Sequence, residues 1–200
     1  MHPKLYDILR SMICPFDRII QSIPERDGEL LDIGSGYGTF CFILSKKRPG
    51  MKIIGVEMDK KRVNIANSRV IDSQNLEFIC DDILNLSTSK RFDVITCVDL
   101  IHHIPMEDHL FVFRKINELL KDNGLLIVKD MDDKPFYKYL WNYIHDLLMA
   151  RRMTTYYIPK REMVKILGEN GFVIEYARDI PNFLYAHYLV VCKRSVLKIK

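Results

Sequence analysis

No stretch of this 200-residue sequence approaches the about eighteen consecutive apolar residues that a membrane-spanning helix needs. The first residues also lack an apolar block of the kind that directs export. Five cysteines, Cys14, Cys41, Cys80, Cys97 and Cys192, are scattered without a C-x-x-C pair or a framework spacing. Three of them (Cys80, Cys97, Cys192) sit in apolar, strand-like runs, where a free thiol behaves as a small hydrophobe. An odd count without a leader reads as a soluble protein of the reducing cytoplasm, with no stable membrane insertion. Charge of one sign is also scarce. Thirty Lys and Arg face twenty-six Asp and Glu, a formal +4, and Lys193, Arg194, Lys198 and Lys200 in the tail account for as much. The remainder lacks the dense basic footprint of a nucleic-acid protein, so none is expected as a partner. Repeats and low-complexity tracts are missing too.

What is present is enough apolar material, 48% of residues, to fill one sizeable core. One domain is expected over 1–200, with a helical cap (1–27), a core (28–130), then a lid and C-terminal hairpin (131–200). Residues 1–23 place Leu5, Ile8, Leu9, Met12, Ile13, Phe16, Ile19 and Ile20 at helical spacing, interrupted at Pro15. Strands and helices then alternate. Strands are predicted at 29–33, 52–57, 76–80, 92–97 and 125–129. Helices are predicted from the glycine turn to about Lys47, at 60–71, and at 107–120, the last stopped by Asn123-Gly124. Runs such as Leu125-Leu126-Ile127-Val128 are apolar throughout, as strands buried on both faces are. Beyond them come helices at 135–153 and 160–169 and strands at 172–176 and 185–192. The short connection between those last strands forbids a parallel crossover and makes them an antiparallel pair. The sum is an α/β, doubly wound, mostly parallel sheet of seven strands.

The densest motif is Asp32-Ile33-Gly34-Ser35-Gly36-Tyr37-Gly38, closing one strand and opening a helix. Glycines permit a sharp turn and close approach to a ligand, and the helix start offers free amides. A dinucleotide fingerprint would place its third glycine at 39, where the chain has Thr39. Asp32 would repel a pyrophosphate but suits an ammonium or sulfonium. Glu57 closes the next apolar strand and can accept both ribose hydroxyls of an adenosine. Asp81 and Asp82 follow the third strand, where a carboxylate can take an adenine amino group.

In these residues the sequence resembles the class I S-adenosylmethionine-dependent methyltransferases, over roughly 28–193. The resemblance implies a Rossmann-like sheet of order 3-2-1-4-5-7-6 with strand seven antiparallel, and S-adenosylmethionine as cofactor. It implies that Asp32, Gly34, Ser35, Gly36, Tyr37 and Gly38 form the cofactor loop and that Glu57, with Met58 beside it, holds the ribose. Asp81, Asp82 and Ile83 would flank adenine, and Cys97, Val98 and Asp99 would close strand four beneath the transferred methyl. His102 and His103 match the paired histidines that follow strand four. They are either a general base or shapers of that turn. His187, Tyr157, Tyr156 and Tyr6 carry the same alternatives, pocket wall or structure, and His187 and Tyr157 join the catalytic candidates.

Asp99, Asp130, Asp132 and Asp133 resemble the oxygen ligands of metal-dependent catechol O-methyltransferases. The acid-Asn pair after strand five is missing, and no metal is expected. The Pro-Pro-Tyr clamp for base amines and the Pro-Cys nucleophile of cytosine enzymes are missing as well. Phe136, Tyr137, Tyr139, Trp141, Tyr143, Tyr156 and Tyr157 fall in one stretch and read as helix core or as an aromatic lid. Arg151 and Arg152 at its end suit an acceptor anion or a helix terminus. The expected reaction is methyl transfer to an oxygen of a small hydrophobic, aromatic or lipid-like acceptor. The rivals are an NAD-dependent oxidoreductase and a non-catalytic cofactor-binding scaffold.

Overall fold

The structure is a computed structural model and describes residues 3–70, 73–134, 137, 156–182 and 185–195. Its elements run α1 (Pro3–Ile13), α2 (Phe16–Ile20), β1 (Gly28–Ile33), α3 (Thr39–Lys47), β2 (Met51–Glu57), α4 (Lys60–Asn67), β3 (Leu76–Cys80), β4 (Phe92–Val98), α5 (His109–Leu119), β5 (Leu120–Met131), α6 (Lys160–Glu169), β6 (Phe172–Ile180) and β7 (His187–Arg194). Seven strands form one sheet of order β3-β2-β1-β4-β5-β7-β6. The first five are parallel, and β7 is antiparallel to both β5 and β6.

Alternation along the strands sends side chains into two layers. Leu31, Ile33, Ile95, Cys97, Leu126 and Val128 pack with α5 and α6 residues such as Phe113 and Met163. Leu30, Ile53, Val94, Ile127 and Leu189 pack with α2 and α3 residues such as Ile19, Phe40 and Leu44. Each such side chain, removed from water, contributes about 1.5–3 kcal/mol. The α2 residues Phe16, Ile19 and Ile20 are buried in this second layer, so the N-terminal segment is divided in its role. Only α1 lies over the sheet's end. Its exposed face carries Ile8, Leu9 and Met12, while Tyr6, Asp7 and Arg10 turn inward.

Several boundaries differ from the sequence expectation: α4 ends at Asn67 rather than at 71, and β6 runs on to Ile180 rather than stopping at 176. The helix predicted to stop at Asn123-Gly124 ends at Leu119, and Leu120 is already extended (φ −76°, ψ 141°) and paired with Phe92. Asn123 does adopt the left-handed conformation (φ 60°) but uses it at a register shift entering the main run of β5. The predicted helix at 135–153 lies outside the described residues, as do Phe136, Tyr139, Trp141, Tyr143, Arg151 and Arg152. No described helix is long and apolar enough to cross a membrane.

Candidate active site

In an open α/β sheet, ligands bind beyond the carboxyl ends of the strands where the strand order reverses, here between β1 and β4. The turn leaving β1 has three left-handed glycines, Gly34 (φ 75°), Gly36 (φ 58°) and Gly38 (φ 80°), but they serve different ends. A Cβ on Gly34 would stand 2.7 Å from Leu100, and one on Gly38 would stand 2.4 Å from Phe78. Those two glycines let the loop pack against its own protein. A Cβ on Gly36 would meet nothing within 4 Å. Gly36 is thus the point where backbone borders open space.

Glu57 stands beside that space. Its Oε2 accepts from the Gly36 amide (2.9 Å) and its Oε1 from the Asp59 amide (3.0 Å). The carboxylate is thereby fixed at the strand end, each oxygen keeping acceptor capacity. Met58 beside it is 68% exposed. After β3, Asp81 accepts from the Asp82 amide and Asp82 from the Leu84 amide, which shapes the turn, and Ile83 is buried against the core. The Glu57 carbonyl accepts from the Asp81 amide (3.2 Å), which ties this turn to the end of β2.

Asp32 lies beneath the loop rather than over it. It is 2% exposed, and its oxygens accept from Thr96 Oγ1 (2.6 Å) on β4 and Cys41 Sγ (3.2 Å) on α3. Burial raises its pKa to about 6, and those two hydrogen bonds counter part of the rise. It supports the loop from below, so direct capture of an ammonium is not what its contacts provide. Ser35 Oγ is buried in the same loop without a hydrogen-bond partner. Tyr37 carries Tyr6 edge-on at 4.8 Å and the Arg62 guanidinium at 5.7 Å.

The inward face of α1 completes the far wall. Asp7 accepts from Thr39 Oγ1 at 2.5 Å and pairs with Arg69, and Arg10 Nη2 meets Asp99 Oδ2 at 2.5 Å. Asp99 follows β4 in the left-handed region (φ 52°), a conformation that costs a non-glycine residue about 1 kcal/mol or more. Its amide donates to the Lys129 carbonyl (2.8 Å), and its carboxylate also pairs with the Lys129 ammonium. Lys129 is fully buried at the end of β5. Although burial opposes it, pairing with Lys129 and Arg10 holds Asp99 well below the usual carboxylate range. Cys97 and Val98 beneath it are core residues.

The histidines separate by environment. His102 is 2% exposed, with Nδ1 2.5 Å from Asp130 Oδ1, and its ring stacks on Tyr157 (5.8 Å between centroids). His103 is half-buried with its ring centroid 4.0 Å from that of His102. The Tyr156 amide donates to the His102 carbonyl (2.7 Å), bringing Tyr156 and Tyr157 to the same strand ends. His187 opens β7, stacks on Tyr185, and is likewise 2% exposed. Burial first, then Lys129 nearby, lowers its pKa to about 3. An imidazole that gives up its proton so readily is a poor general base at neutral pH. Of the four catalytic candidates, His103 and Tyr157 keep partial exposure, whereas His102 and His187 are buried.

Sequence reasoning missed Arg10 and Lys129. The one signal for Lys129 is a basic residue closing the otherwise apolar run Leu125 to Val128. The described residues hold no group of three or more His, Cys, Asp or Glu arranged to hold a metal. A cavity of about 270 Å³ lined by Glu29, Lys52, Gln74 and Lys90 lies near the amino ends of β1 and β2, remote from all of this.

A family model described as a methyltransferase domain matches residues 24–165. The chain belongs to that family, the class I S-adenosylmethionine-dependent methyltransferases. It is 33% identical over 107 residues to a phosphoethanolamine N-methyltransferase of Plasmodium falciparum, covering 53% of this chain and 40% of that protein. It is 30% identical over 128 residues to a ubiquinone biosynthesis O-methyltransferase of Coxiella burnetii, covering 63% and 53% respectively. The chain thus spans about half the length of these curated relatives. Among solved structures, magnesium protoporphyrin IX methyltransferase from Synechocystis with bound SAH shares the fold (TM-score 0.71, 20% identity, 90% of this chain and 82% of that one). A Pyrococcus horikoshii protein does so too (TM-score 0.75, 20% identity, 95% and 91%).

Proposed function

We propose that this domain binds S-adenosylmethionine at the Gly36–Glu57 crevice. There it methylates an oxygen of a small hydrophobic, aromatic or lipid-like acceptor. The observation that carries the reading is the convergence, above the one glycine of the β1 turn that faces open space, of a fixed carboxylate and an inward-facing helix α1. The site fits the cofactor: a Cβ-free edge at Gly36 and Glu57 oriented by two backbone amides suit an adenosine ribose. Met58, Asp81, Asp82 and Ile83 supply the adenine side of the same crevice. The bound cofactor supplies an activated methyl on a good leaving group.

The chain's own residues then have to position an acceptor and exclude water. Tyr6 with Tyr37, Tyr157 with His102, and Tyr185 with His187 give three ring pairs at the strand ends, suited to an apolar or aromatic acceptor. His103 is the histidine placed to exchange a proton with it, since His102 is engaged by Asp130 and His187 is held neutral. Thermal shift with S-adenosylmethionine, S-adenosylhomocysteine and NAD tests the cofactor. Release of S-adenosylhomocysteine over a panel of phenols and carboxylic acids tests transfer. Stabilisation by NAD alone sinks the reading, and binding without turnover on any acceptor makes the domain a scaffold.

A further inference from the structure

The two relatives above differ in what their names say they methylate, an amine in one and an oxygen in the other. The charges beyond β4 and β5 bear on that choice. Asp99 is the carboxylate that follows β4, adjacent to Leu100, against which Gly34 packs. It is engaged on both oxygens, Oδ1 by Lys129 and Oδ2 by Arg10. Side-chain exposure is 5% for Asp99, 0% for Lys129 and 22% for Arg10, so these are largely desolvated charges. Two cations meet one anion, and the cluster keeps one positive charge in excess.

Among the described residues, no second carboxylate pairs with Arg10 or Lys129. His187 from β7 is neutral, and Cys14 after α1 is a thiol pushed up to about 11, chiefly by burial. Asp130 on β5 pairs with His102, and Asp32, a carboxylate above about pH 6, lies under the loop on Thr96 and Cys41, out of contact with Arg10 and Lys129. The lowered pKa of His187 has burial as its main cause and Lys129 next, which registers the same positive field at a second position. The bound cofactor would add a net positive charge of its own. A protonated amine entering here would meet like charge in a low-dielectric site, with no free carboxylate at Asp99 to receive it.

We infer that the Arg10–Asp99–Lys129 cluster selects an acidic acceptor, a phenol, enol or carboxylic acid taken as its anion, and rejects ammonium acceptors. The inference rests on the methyl-transfer reading above and names the substrate class of that same site. The field ionises the acceptor before transfer, and its proton passes by way of His103 to solvent. The oxygen lone pair forms the O–CH3 bond while the pair of the breaking C–S bond stays on sulfur. The products are a methyl ether or ester and neutral thioether.

The probe is 4-nitrophenol, whose phenolate is read by its visible absorbance, bound to the protein saturated with S-adenosylhomocysteine so that no turnover occurs. Bound probe should ionise about one pH unit below free probe, a tenfold shift in its equilibrium. 4-Nitrobenzylamine should bind at least tenfold more weakly, as one such unit implies. Lys129→Met removes the excess charge and should abolish the shift. Asp99→Asn, which tolerates the left-handed backbone, raises the excess and should enlarge it. The double variant restores one excess charge through Arg10 and should resemble wild type, a pattern that mere loss of packing would not produce. Should Lys129→Met fail to fold, Arg10→Gln on the partly exposed helix tests the same count. Bound probe that ionises at or above the free value, fails to bind, or is matched by the amine overturns the inference while S-adenosylhomocysteine still binds. Calorimetry that finds no S-adenosylhomocysteine binding overturns the transfer reading together with it.

Discussion

Arg10 Nη2 lies 2.5 Å from Asp99 Oδ2, joining the N-terminal helix to a residue eighty-nine positions later at the end of β4. Asn182 Nδ2 adds a bond from the β6–β7 loop to the Ile13 carbonyl (3.0 Å), so α1 is anchored at its C-terminal end as well. Arg10 is only partly exposed, and its pair is worth more than a surface ion pair yet less than a sealed one. Arg10→Leu should leave the sheet folded and weaken retention of S-adenosylmethionine by about 1.5–3 kcal/mol, the range of a hydrogen bond to a charged group. Titration calorimetry at wild-type affinity would remove α1 from the site.

Truncation sharpens the same point. Removing the first thirteen residues takes away α1 alone, whereas removing twenty also strips Phe16, Ile19 and Ile20 from the core. Losing three such side chains exceeds several kcal/mol on the scale of about 2–5 kcal/mol for each large-to-small core change. The shorter deletion should keep a cooperative thermal transition, and the longer should lose it. Equal transitions in both would contradict the burial of α2.

The glycines of the loop should divide in the same way. Gly34→Ala and Gly38→Ala force a side chain into Leu100 and Phe78 and should lower stability by about 1–3 kcal/mol, as overpacked positions do. Gly36→Val meets only open space and the strain of its positive φ, so its main effect should fall on cofactor binding. Denaturant melts beside calorimetry for each variant separate the two. A Gly36 variant that binds normally would move the ligand elsewhere.

Glu57→Ala should weaken cofactor binding by about 1.5–3 kcal/mol. Because Glu57 also holds the Gly36 and Asp59 amides, a control is needed for loop disorder. A 2′,3′-dideoxy cofactor analogue supplies it, since wild type and mutant should bind that analogue almost equally. Further loss of affinity for the analogue in the mutant would assign Glu57 to the loop and not to the ribose.

How far the sequence carried these conclusions depends on the range of the forces involved. The sheet order followed from the resemblance to the methyltransferases, whereas strands β1, β2, β4 and β5 were legible as short, near-continuous apolar runs bounded by turn residues. Gly36 and Glu57 were legible because local motifs position them, and the structure does set them 2.9 Å apart. The N-terminal segment was readable as amphipathic but not as facing polar side inward. That orientation follows from Asp99 and Arg69, which local spacing does not reveal. Lys129 looked like the ordinary end of a strand, and its burial depends on Asp99 arriving from β4. The left-handed Asn123 was a true signal with the wrong consequence, since β4 pairing captured Leu120 before the helix reached it.

Asp32 yields the last test, because fold and function pull on it in opposite directions. Its pKa is raised to about 6 in the folded protein, chiefly by burial, against an ordinary 3.8. The folded state therefore binds a proton more tightly than the unfolded chain does. Stability from this group is fully present below the unfolded value of 3.8 and is lost as pH rises through about 6. Above that, the fold carries a buried carboxylate supported by one hydroxyl and one thiol. Asp32→Asn removes the charge and keeps the shape. It should stabilise the cofactor-free protein at pH 8 by up to about 3 kcal/mol, roughly two pKa units at 1.36 kcal/mol each, less whatever the lost acceptor costs. At pH 4, where the native side chain is protonated, the substitution should be nearly neutral. Cofactor affinity should fall in the same variant, since the loop loses the carboxylate that supports it from below. Urea melts at the two pH values decide the matter: a variant less stable at pH 8 than at pH 4, relative to wild type, would mean that the Thr96 and Cys41 contacts outweigh burial at this position.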